Sequence, residues 1–91
     1  MKKWCYVLVK LGHRGPRKQI EIPVYVFVSK VSHVFIKLRY MGGIHHREVC
    51  ETRFLNDLES NNLENKVLVE GLSLRKAKNK WYTTYKDYKW W

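Results

Sequence analysis

Only two cysteines, Cys5 and Cys50, occur in 91 residues, which excludes a disulfide-rich scaffold. Nothing marks the chain for an oxidising compartment, so both are expected as unlinked thiols. Two prolines and five glycines exclude collagen-like and low-complexity chains. No apolar run approaches the roughly 20 residues of a membrane span. Met1-Lys2-Lys3 and the apolar stretch behind it have the outline of a secretory signal. That stretch is too short, Lys10 interrupts it, and no small-residue cleavage site follows. Cytoplasmic residence without a membrane partner is therefore expected. Catalytic order is missing too, since no Ser/His/Asp series, nucleotide-binding glycine loop or carboxylate pair stands out. No motif names a reaction.

Acidic residues are the most telling shortage: 8 Asp and Glu face 18 Lys and Arg, for a net charge of +10. A domain this basic is drawn to polyanions. Its charge also clusters. Residues 1–47 hold ten basic side chains and one acidic, whereas residues 48–70 hold two basic and six acidic. Residues 71–91 return to six basic and one acidic. Clustering of this kind polarises a molecule, and solubility alone would not require it.

An apolar fraction of 45% is enough for a core. Residues 1–91 are expected as one small domain, which buries only about 60–65% of its unfolded surface and leaves no room for a deep active site. Residues 4–11 read as a strand with two apolar faces, as in a strand covered on both sides. Residues 12–18 form a connection carrying His13, Arg14, Arg17 and Lys18. Residues 20–28 are a second strand, and Pro23 argues for an edge position or a bulge. Val34, Ile36, Leu38 and Tyr40 alternate as a third strand would. Gly42-Gly43 then suits a hairpin turn, with Lys37 opposite Glu48 and a return strand to residue 50. Thr52 is expected to cap a short helix near 52–61, ended by Asn61-Asn62. Residues 66–70 read as a strand, and residues 72–88 as a last hairpin turning at 77–80.

The expected fold is thus α+β and predominantly antiparallel. It is a small, strongly bent sheet or partly closed barrel of about five or six strands with one short helix. In element order alone it is similar to an OB-type barrel.

Two groups of residues carry the functional expectation. Arg75, Lys76, Lys78 and Lys80 lead into a run where cations alternate with Trp81, Tyr82, Tyr85 and Tyr88. Single-stranded nucleic acid calls for that mixture, because cations follow phosphates while rings stack on unpaired bases at about 1–3 kcal/mol each. Packing is expected to claim about half of these rings. Arg14, Arg17 and Lys18 on the first connection are further phosphate candidates. Lys37 and Arg39, beside His46 and Phe35 on the central hairpin, form a second platform. Its bland alternative is a solvated face.

His45, His46 and Cys50 have metal-ligating side chains. On one strand, however, His46 and Cys50 would stand about 13 Å apart, too far to share a zinc. No metal or cofactor is expected. The leading expectation is a non-enzymatic protein binding nucleic acid, RNA or DNA. The alternative is a small accessory or inhibitor protein that docks on a nucleic-acid-handling enzyme or ribonucleoprotein complex. A small metal-independent ribonuclease using His13 or His46 comes third.

Overall fold

The computed structural model describes residues 1–11, 20–39 and 48–85. Among these, four strands and three helices form an open α+β fold. Strands β1 (Lys3–Leu11) and β2 (Ile20–Val28) pair antiparallel along their whole length. β3 (Glu48–Phe54) adds to the outer side of β1, and β4 (Tyr82–Thr83) touches β2 at Val24 and Tyr25. The sheet order is β3-β1-β2-β4.

Both faces of the central pair are covered, as the doubly apolar pattern of β1 requires. Cys5, Val7 and Val9 share one face with Ile22, Val24, Val26 and Val28. That face packs against Val34 and Leu38 of α1 (Val31–Leu38), with Trp81 beside them. Trp4, Tyr6, Tyr25 and Phe27 point the other way. They meet Leu63 and Val67 of α2 (Asp57–Val69) and Ala77 of α3 (Leu74–Asn79). The molecule is therefore a three-layer sandwich of helix, sheet and helix pair.

Several expectations need correction. Residues 34–38 are not a strand, because α1 occupies them, and Tyr40 lies outside the described residues. Val34 and Leu38 lie one helical turn apart and are buried, while Phe35 and Ile36 face outward. The hairpin pairing of Lys37 with Glu48 is thereby lost, and Gly42-Gly43 lies outside the described residues. The helix expected near 52–61 begins later. Thr52 belongs to β3, and Asn56 caps α2 through a capping box with Glu59. Asn61 and Asn62 sit inside that helix rather than ending it.

Residues 66–69 continue α2 instead of forming a strand. The helix stops at Gly71, whose φ of +77° suits glycine. Gly71 N–H donates to the Leu68 carbonyl and Leu72 N–H to that of Val67, a Schellman ending. Residues 74–79 are helix α3, capped by Ser73, so no hairpin turns at 77–80. Among the described residues the sheet has four strands, not five or six, and does not close into a barrel.

Pro23 fits its strand because, among the described residues, β4 pairs only with the two residues after it on the outer β2 edge. Thr83 Oγ1 donates to the Pro23 carbonyl at 2.7 Å and helps anchor β4 there. Cys50 is the extra residue of a bulge, since Leu8 pairs with Glu51 and Val9 with Val49. Its thiol is exposed, whereas that of Cys5 is buried.

Candidate functional site

α3 carries three cations in six residues, Arg75, Lys76 and Lys78, and Lys80 follows at its C-cap. Ala77 is its only buried residue, so one small side chain anchors the helix and the cations radiate from it. A groove of about 460 Å³ opens beside α3, lined by Lys2, Phe27, Leu74, Arg75, Lys78 and Asn79. Its floor is the half-buried Phe27 ring, tilted against Trp4 at 5.3 Å between centroids. Lys78 Nζ lies 4.8 Å from the Phe27 centroid and 3.5 Å from Glu64 Oε1 of α2. Lys78 thus braces α3 as well as lining the groove.

Lys37 joins the same region from the other face of the sheet. Its ammonium donates to the carbonyls of Lys78 (3.4 Å) and Asn79 at the end of α3. A cation there offsets the negative end of that helix. Partial burial, and then the charge of Lys2, pull the Lys37 pKa below that of an ordinary lysine.

The expected site residues separate in the fold. Arg75, Lys76, Lys78, Lys80 and Lys37 come together around α3, and Arg39 is exposed at the C-cap of α1. Arg14, Arg17 and Lys18 lie outside the described residues. Trp81 is only 6% exposed and sits in the α1-side core, with Tyr85 packed against it. A ring so buried offers no face for stacking, so packing claims Trp81, while Tyr85 is only half-buried. His13, His45 and His46 also lie outside the described residues, and His33 Nδ1 is 3.2 Å from Ser29 Oγ. Among the described residues, no three His, Cys, Asp or Glu side chains group to hold a metal ion. No helix among them is long and apolar enough to cross a membrane.

The chain matches no family model, no curated protein and no solved structure. Function has to be argued from the site itself.

Sequence reasoning passed over Lys2, whose neighbours suggested only a leader-like segment. It also passed over a second concavity of about 480 Å³ on the same sheet face, where Tyr6, Tyr25, Arg53 and Lys66 meet. The sequence carries no signal for it, because only the pairing of β1 with β2 sets Tyr6 opposite Tyr25. Arg53 of β3 lies 5.7 Å from the Tyr6 ring centroid and donates to Glu59 at 2.9 Å. That bond, with the Asn56 N–H, holds the Glu59 carboxyl below the usual glutamate range.

The acidic and basic stretches meet where α2 packs against α3, through Glu64 and Lys78. Glu51 on β3 and Asp57, Glu59 and Glu64 on α2 belong to the acidic stretch, whose strand forms one sheet edge. α3 packs toward β2, on the opposite side of the sheet.

Proposed function

We propose that the protein is a non-enzymatic nucleic-acid-binding module that grips phosphates along the α3 groove. One observation carries this reading: Lys2, Arg75 and Lys78 converge on a groove floored by an aromatic ring, with Lys37 held against its far end. Cations at such density favour a polyanion over a single small anion, because each phosphate neutralised releases condensed counterions. The groove is open and shallow, which suits a backbone laid along it more than an enclosed substrate. The exposed thiol of Cys50 would stay reduced in the cytoplasm, the compartment proposed here.

Titration of oligonucleotide affinity against salt tests the reading. Three contacts to a single strand imply a log–log slope of about −2 or steeper. Undetectable binding at low salt would contradict it.

A second reading has its own observation. Val31, Phe35 and Ile36 are 41–53% exposed on the outer face of α1. Apolar surface of that kind marks protein interaction sites. An accessory protein could dock α1 on a nucleic-acid-handling enzyme while α3 faces the bound nucleic acid. A stoichiometric complex with such an enzyme, without binding to free oligonucleotide, would favour this reading.

A further inference from the structure

The cleft around Tyr6 and Tyr25 differs in chemistry from the α3 groove. The two phenol rings lie 5.6 Å apart and tilted by 58°, each half-buried so that part of its surface remains open. Tyr25 is braced from behind by Tyr82 at 6.1 Å. Arg53 stands over Tyr6, fixed by the carboxylate that completes the capping box of α2. Leu55 and Leu63 supply an apolar base, while Asn62 and Lys66 project from α2 on the far wall.

Glu59 matches the charge of Arg53, so Lys66 alone is left as net charge among the lining side chains. A phosphate would gain little here. An uncharged flat ring with a polar edge would gain more. It can stack on phenol and guanidinium while its edge meets the Asn62 amide. Burial pushes the Tyr25 phenol above the usual tyrosine range, so its hydroxyl stays protonated at neutral pH.

Resting on the phosphate-binding reading above, we infer that this cleft receives an unpaired nucleobase, and hence that the protein takes single-stranded nucleic acid. Position supports it. Tyr25 and Phe27 lie on one face of β2 two residues apart, about 6.6 Å along the strand. The ring that floors the phosphate groove and the ring that receives the base are therefore neighbours. A base inside a duplex is already stacked on both sides and would have to be pulled out first.

The test compares three ligands over the same series of salt concentrations: a labelled oligothymidylate, an abasic strand of equal length, and a blunt duplex. The wild-type protein is expected to bind the abasic strand about tenfold or more weakly than the thymidylate, with the duplex also weaker. Both strands should show the same salt slope, since their phosphates are alike. Tyr25→Leu should weaken thymidylate binding alone and bring it to the abasic level. Equal binding of thymidylate and abasic strand by the wild type would overturn the inference and leave phosphate binding intact. A duplex bound as tightly as the single strand would also overturn it. If none of the three binds, the phosphate-binding reading falls and this inference with it. The wild-type comparison decides whether or not the variant folds.

Discussion

Tyr82 is fully buried between the sheet and the helix pair, yet its hydroxyl has no hydrogen-bond partner among the described residues. Burial pushes its pKa well above the usual tyrosine range, and the Glu70 carboxylate adds to the shift through a weak hydrogen-bonding contact outside normal geometry and through its charge. A buried hydroxyl without a partner costs on the order of 1–3 kcal/mol. Tyr82→Phe, which keeps the ring, should therefore raise stability by about 1 kcal/mol in urea unfolding. A loss of that size would show that the hydroxyl is well bonded. The same residue contributes to the alkaline limit of the fold, together with Tyr25 and Cys5, whose pKa values burial also raises. A tyrosine whose folded pKa lies above its unfolded value stabilises the native state below the unfolded pKa. That contribution drains away as pH rises through the folded one. Stability should thus fall above about pH 10, and less steeply in Tyr82→Phe. Absorbance of tyrosinate recorded alongside unfolding checks it.

The elements are held by local chemistry that is easily tested. Asn56 accepts from the Glu59 N–H at 2.8 Å, and Asn56→Ala should cost about 1 kcal/mol. Gly71→Ala should cost about 1–2 kcal/mol by backbone strain alone, because nothing lies within 4 Å of a Cβ built there. Urea midpoints for both variants measure these costs, and an unchanged midpoint would deny the cap or the turn its role.

These elements were unequally legible in the sequence. β1 and β2 are plain because each sets a mostly β-branched face against an aromatic one, which little but a covered strand can satisfy. α1 was misread because Val34, Ile36, Leu38 and Tyr40 fit a two-residue period. Val31, Val34, Phe35 and Leu38 fit a helical one equally well. Tertiary context decided between them, since the apolar face of the β1–β2 pair needed cover that another strand in the same sheet could not supply. α2 was shortened because Thr52 was chosen as its cap, although Asn56 with Glu59 three residues later is the better signature. Of the site, the cations of α3 were visible in the sequence as a cluster. Tyr6, Tyr25 and Arg53 were not, because only the strand register brings residues so distant in the chain together.

At the scale of the whole molecule, the basic and acidic blocks are separated only in part, since Glu64 of the acidic α2 meets Lys78 of α3. β3, from the acidic block, forms one edge, and α3 packs toward the other. Lys78 is tied to Glu64 and Phe27, so reversing it would disturb packing as well as charge. Arg75 and Lys76 are exposed and make the cleaner probe. The most direct measurement pairs two variants of equal net charge. Arg75→Gln with Lys76→Gln removes two positive charges from α3. Cys50→Glu with Leu58→Glu adds two negative charges at exposed positions on β3 and the start of α2. Salt titrations of single-strand binding, with thermal midpoints as a folding control, should separate them. The α3 variant is expected to lose affinity and to shallow the slope by about 1.4, roughly 0.7 for each lost phosphate contact. The variant on the acidic side should keep the wild-type slope. Equal losses in the two variants would mean that net charge alone draws the nucleic acid, and the α3 groove would not be the site.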